Sequence, residues 1–106
     1  MPINSRAKGA AGEREIAKIL REHGFENARR GHQFSGANGD ADVVGIDGLH
    51  LEIKRVEALN IDKAMEQSKR DAREGETPVV FHRKNNKEWL ATLRLEDFIS
   101  IYKGEL

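Results

Sequence analysis

The chain contains no cysteine, two prolines, one tryptophan, one tyrosine and four phenylalanines. Without cysteine there is no disulfide, no zinc–thiolate site and no thiol nucleophile, as expected of an intracellular protein. No apolar run approaches the roughly 20 residues that span a bilayer, and the N-terminus lacks the apolar core of a signal peptide. A cytoplasmic location with no membrane partner is therefore the expectation. A surplus charge is missing too: 18 basic residues balance 18 acidic ones, so overall charge announces no polyanionic partner. There is no Gly-Lys-Ser/Thr or Gly-x-Gly-x-x-Gly pattern, which argues against a nucleotide-binding loop. No repeat, linker or low-complexity tract interrupts the chain. Its 106 residues, 38% hydrophobic and 34% charged, predict one domain over residues 1–106, with a modest core beneath a densely charged surface.

The most informative stretch is Gly39–Arg55. Two strand-like runs, Asp40–Ile46 and Leu49–Arg55, flank an Asp47-Gly48 turn, a strong hairpin signal. In the second run Leu49, Leu51 and Ile53 share one face, and His50, Glu52 and Lys54 the other. The first run carries Asp40 and Asp42, poor strand formers. Register decides what they do. A two-residue loop sets Asp42 opposite Ile53, on the wrong face. A three-residue loop, Ile46-Asp47-Gly48 with Gly48 left-handed, pairs Gly45 with Leu49 and Asp42 with Glu52; a bulge at Gly45 gives the same shift. In that register Asp42, Glu52 and Lys54 converge. Two neighbouring carboxylates repel, so a hard divalent cation is their natural partner, and oxygen ligands select Mg²⁺, with Mn²⁺ as a substitute, over zinc. The backbone carbonyl of Ile53 offers a further ligand. Lys54 is placed to help deprotonate an attacking water and to offset charge on a phosphate. Metal-assisted phosphodiester hydrolysis suits this set; a Glu-x-Lys triplet alone would be weak evidence.

The remaining elements surround the hairpin. A helix is predicted from Ser5 to His23, capped by Gly24, with Ile16, Ala17, Ile19 and Leu20 as its apolar stripe. Glu13 projects from the edge of that stripe, and Gly9 and Gly12 remove side chains where the helix can approach another backbone. A short strand is expected within Phe25–Arg30. Gly31–Gly39 reads as a loop whose His32, Gln33 and Phe34 can touch a substrate backbone or base. Residues 1–36 hold seven basic against four acidic residues, a locally basic region. A second helix, Ile61 to Glu74, starts at an Asn60 cap and ends before Gly75; its inner face is Ile61, Ala64, Met65, Ser68 and Ala72. Val79–Arg83 reads as a central strand and Glu88–Arg94 as its neighbour. Leu95, Phe98, Ile99 and Tyr102 form a last helix expected to cover the sheet, with its aromatics in the core. The four histidines are scattered and suggest no zinc site.

This order, with Glu on the first helix and Asp…Glu-x-Lys on the hairpin, resembles the PD-(D/E)XK nuclease superfamily. The run Arg6-Ala-Lys8-Gly9-Ala-Ala-Gly-Glu13-Arg14-Glu15, followed by His23-Gly24-Phe25 and Arg29, resembles in particular the archaeal-type Holliday junction resolvases and their phage relatives. The likeness extends from Arg6 to Leu93. It implies an α/β, restriction-endonuclease-like core, a central mixed β-sheet flanked by helices in the order α-β-β-β-α-β-β-α, with Glu13, Asp42, Glu52 and Lys54 at the catalytic positions. Arg14 and Arg29 match positions that hold the DNA backbone or the site; Lys8, Arg30 and His32 join them as candidate DNA contacts. The family's usual proline before the aspartate is replaced by Ala41. Asp40 is the alternative ligand, but Asp42 aligns better through Asp-Val-Val and Leu-Glu-Ile-Lys. The resemblance also implies four-way or other branched DNA as partner and a homodimer with two active sites. A nicking, repair or restriction-type nuclease is the alternative on the same fold, and a non-catalytic DNA-binding module the alternative of another class.

Overall fold

The computed structural model describes residues 5–31 and 41–105, with only the backbone of residues 5–8. Its elements are α1 (Ser5–Glu22), β1 (Arg29–Arg30), β2 (Val43–Val44), β3 (Leu49–Arg55), α2 (Ile61–Asp71), β4 (Thr77–Arg83), β5 (Leu90–Leu93) and α3 (Leu95–Tyr102). The strands form one five-stranded sheet in sequential order, in which β3 and β4 run parallel and the other neighbours antiparallel. This is the expected mixed α/β sheet with helices in the expected order.

The hairpin has the register inferred from its glycines. Val43 pairs with Leu51, the offset that accompanies a Gly45–Leu49 pair. Leu49 N–H closes the loop onto Ile46 O, and both Gly45 (φ +95°) and Gly48 (φ +85°) are left-handed. Gly45 is required for a second reason: a Cβ there would overlap the backbone carbonyl of Asn27. The tight crossing of the 27–28 backbone over Gly45 is what lets β1 pair with β2.

β3 is covered on both sides. Leu51 and Ile53 meet Ile16 and Ala17 of α1 together with Val43 and Val79, the central core. Gly12 lets α1 approach closely, its missing Cβ facing Arg55 Cβ and Ile53; among the described residues nothing lies within 4 Å of a Cβ at Gly9. On the opposite face α2 brings Ala64 and Ser68 down onto the sheet, and Ser68 Oγ donates to the carbonyls of His50 (3.3 Å) and Val79 (3.2 Å). Glu13 and Glu15 flank the Gly12–Ile16 line of α1 on opposite sides, as 100° per residue requires. Glu15 accepts Trp89 Nε1 (2.8 Å) and Arg83 Nη2 (3.2 Å) and lies 3.8 Å from Arg55. It thereby fixes the rotation of α1 and, with it, the direction of Glu13.

Several expectations change. Of the strand-like run expected over Asp40–Ile46, only Val43–Val44 is strand among the described residues. β1 is confined to Arg29–Arg30, because Phe25–Ala28 closes a turn (Ala28 N to Phe25 O, 3.0 Å) whose end is held by Arg21 on Ala28 O. α2 stops at Asp71, since Ala72 is extended and Arg73–Glu76 forms its own turn around left-handed Gly75. β5 is trimmed to Leu90–Leu93. Finally, α3 does not cover the sheet. None of its residues is buried, Leu95, Phe98, Ile99, Ile101 and Tyr102 are exposed, and the Phe98 and Tyr102 rings stack on each other at 6.3 Å instead of in the core.

Candidate active site

The short β2 leaves the edge of β3 open at Ile53, and Asp42 fills the gap. Its Oδ2 accepts the Ile53 N–H at 2.8 Å, where a longer strand would have continued the ladder. The residue's N–H and C=O are tied on either side, to Leu51 O (3.1 Å) and by Gly31 N–H (2.9 Å). Along a strand the N–H and C=O of one residue point to the same side, so the Ile53 carbonyl opens toward Asp42 as well. Glu52 lies beside this carboxylate, buried at 3% exposure. Glu13 reaches in from α1 and is held by Arg30 (Nε to Oε1, 2.9 Å). Lys54 donates to Gln67 Oε1 of α2 at 3.2 Å.

The electrostatics show how closely these charges gather. Burial, then the charge of Glu52, push the Asp42 carboxyl up from 3.8 to about 7, with Glu13 contributing and the Ile53 N–H opposing. A shift of that size means that the site disfavours its own full ionisation. Surplus negative charge on oxygen ligands is what a divalent cation neutralises, so Asp42, Glu52 and the Ile53 carbonyl fit a hard metal ion.

Glu52 has a second neighbour that sequence reasoning missed. His50 Nε2 lies 2.9 Å from Glu52 Oε1, and its Nδ1 lies 3.7 Å from Glu76 Oε1. Burial works against the imidazolium, but the Glu52 hydrogen bond and charge, with Glu76 and Asp71, outweigh it and raise the His50 pKa. His50, Glu52 and Asp71 each offer a ligand atom within 4.8 Å of the others. The signal for His50 was its place two residues before Glu52 on the same strand face. For Gln67 and Asp71 it was their position next to Ser68 and Ala72, at the rim of the inner face of α2.

The candidate DNA contacts divide. Arg14 is exposed on α1, and Arg29 is exposed with Nη1 on Asn27 O (2.9 Å). Arg30 is committed to Glu13, which makes it part of the site's framework. His32, Asp40, most of the Gly31–Gly39 loop and the Lys8 side chain lie outside the described residues. A groove of about 750 Å³ between Val56–Ile61 and His82–Leu90 contains none of the converging carboxylates. No described helix is long and apolar enough to cross a membrane.

A family model described as archaeal Holliday junction resolvase (Hjc) matches residues 4–97. No curated protein matches the chain.

Proposed function

The chain belongs to the archaeal Holliday junction resolvase family, and from that premise we propose that it is a Mg²⁺-dependent, structure-specific endodeoxyribonuclease that cuts four-way DNA junctions as a homodimer. The observation that carries the reading is the gathering of Glu13 and Glu52 around a buried Asp42, whose carboxyl burial first and then these charges push up to about 7, with Lys54 on the same strand two residues beyond Glu52.

Asp42, Glu52 and the Ile53 carbonyl would hold Mg²⁺, or Mn²⁺ in its place. When bound, the cation supplies positive charge that polarises the scissile phosphate and eases departure of the leaving oxygen. The chain's own residues do the rest. Lys54, steadied by Gln67, orients the attacking water and offsets charge growing on the phosphate. Glu13, held by Arg30, adds a carboxylate at the rim to orient a water or the cation. Arg14 and Arg29 contact the DNA backbone with Lys8 and His32. Such contacts position a branched duplex without reading its sequence.

Two features support a dimer. A junction has near-twofold symmetry and needs paired incisions, which an isologous dimer provides. α3 also presents an apolar face, Leu95, Phe98 and Ile101 among others, that the monomer leaves uncovered. The DNA substrate implies a cytoplasmic location. Cleavage of four-way, forked and linear duplexes with Mg²⁺ and with EDTA, beside sedimentation of the free protein, tests the reading. Metal-dependent paired incision in the four-way substrate by a dimer is expected. Unpaired nicks from a strict monomer would leave a nicking or repair nuclease, and binding without cleavage a DNA-binding module.

A further inference from the structure

We infer that His50 is a positioning residue for the metal carboxylate: its Nε2–H holds Glu52 Oε1 and so sets the orientation in which Glu52 meets a divalent cation. The inference rests on the proposed metal role of Glu52.

Strand alternation places residues 50 and 52 on one face, about 7 Å apart along the chain, and their side chains close that gap to 2.9 Å. Both residues are buried at 3% exposure, so water is a poor substitute for either partner. A glutamate has three side-chain torsions. A donor fixed on one oxygen leaves the other in a defined place beside Asp42. His50 is itself held from three directions. Its carbonyl accepts Ser68 Oγ at 3.3 Å, its backbone pairs with Pro78 of β4, and its Nδ1 faces Glu76 Oε1 at 3.7 Å. Glu76 Oε1 in turn accepts the Arg73 N–H at 2.8 Å. The imidazole therefore stands between two carboxylates, hydrogen-bonded to Glu52 at 2.9 Å and at ion-pair distance, 3.7 Å, from Glu76.

A buried imidazole–carboxylate pair is an expensive way to stabilise a small core, since an apolar side chain of similar volume needs no desolvation of charge. Carboxylate ligands, by contrast, are generally held by hydrogen bonds from a surrounding shell, whose loss costs 10- to 100-fold in metal affinity. His50 stands where such a donor is needed. Mg²⁺ prefers oxygen to imidazole nitrogen, which favours His50 as a holder of Glu52 over His50 as a ligand.

The test uses the full chain with Mn²⁺ alone as probe, followed by electron paramagnetic resonance so that binding is read without cleavage. His50→Phe keeps the volume and removes the donor; His50→Gln keeps a donor that can reach Glu52. We expect His50→Phe to weaken Mn²⁺ binding about 10- to 100-fold and His50→Gln to recover most of that loss, with both variants cleaving DNA once Mg²⁺ is saturating. If His50→Phe does not fold, the same comparison is made between wild type and His50→Gln against His50→Ala. Wild-type affinity in a folded variant lacking the donor would overturn the inference. So would a directly coordinated imidazole nitrogen in the wild-type Mn²⁺ spectrum that disappears in His50→Gln. If Mn²⁺ binding follows the donor but wild type cuts no DNA, the nuclease reading fails and the positioning role stands.

Discussion

Asp42→Asn should abolish cleavage and at the same time stabilise the metal-free protein at neutral and alkaline pH. Burial and the neighbouring Glu52 push the Asp42 carboxyl up to about 7 in the folded chain, from 3.8 for the ordinary group. Three units at 1.36 kcal/mol each correspond to about 4 kcal/mol of preference for the protonated form. Between those two values the folded state holds a proton that the unfolded state has released. Stability therefore falls as pH rises from about 4, and the loss is complete above about 7. Between pH 5 and pH 8 the metal-free wild type should lose about 3 kcal/mol from this group, a drop in Tm on the order of 10 °C for a domain of this size. His50 acts in the same direction at the upper end, because a raised histidine pKa gives stability that is present below its unfolded value and lost as pH passes the folded one. Asparagine keeps an oxygen for the Ile53 N–H, removes the repulsion with Glu52, and should flatten the melting profile between pH 5 and 7. Mg²⁺ should restore the wild type at pH 8 and leave Asp42→Asn nearly unchanged. Melting curves from pH 5 to 8, with EDTA and with Mg²⁺, make the measurement. A flat metal-free wild-type profile, or an Asp42→Asn variant that melts lower than wild type at pH 8, would refute the reasoning.

Further outcomes follow from single contacts. Gln67→Ala removes the partner of Lys54 Nζ and should lower turnover about 10-fold, with little change in Mn²⁺ affinity; a matched loss of metal affinity would place Gln67 in the cation site instead. Gly45→Ala sets a Cβ against the Asn27 carbonyl at a left-handed position. It should cost at least about 2 kcal/mol in urea unfolding, and an unchanged midpoint would contradict the crossing described here. Phe98→Asp on the exposed face of α3 should shift sedimentation from dimer to monomer and lower the melting temperature only by the stabilisation that association supplied; a wild-type dimer would move the interface elsewhere.

The register of the central hairpin was legible because only a few loop geometries join two short strands, and glycine at 45 and 48 selects among them. With that register came the meeting of Asp42 and Glu52, while the Lys54 ammonium is joined to Gln67 of α2. The family likeness supplied the sheet's mixed pairing and the proposed role of Glu13, which spacing alone left open. What stayed hidden depends on partners distant in sequence. His50 looked like one more residue of a strand face, because nothing near it announces that α2 will bury that face and leave it beside Glu52. Arg30 looked like a free cation, since its engagement with Glu13 depends on the packing of α1 against β1. α3 was misjudged for a different reason. A stripe of Leu95, Phe98 and Tyr102 has the same spacing whether it packs on its own sheet or on another chain, so amphipathicity shows that a face needs covering without showing what covers it.

The central claim, that Asp42 and Glu52 form a cation site that cuts branched DNA, is tested most directly by comparing wild type with Glu52→Gln on a four-way junction. Binding and cleavage should be scored on the same samples in Mg²⁺ and in EDTA. Wild type should make paired incisions only with Mg²⁺, while Glu52→Gln should bind the junction at least as tightly, having lost a negative charge facing phosphate, and leave it intact. Incision by Glu52→Gln at the wild-type rate, or by wild type in EDTA, would contradict it.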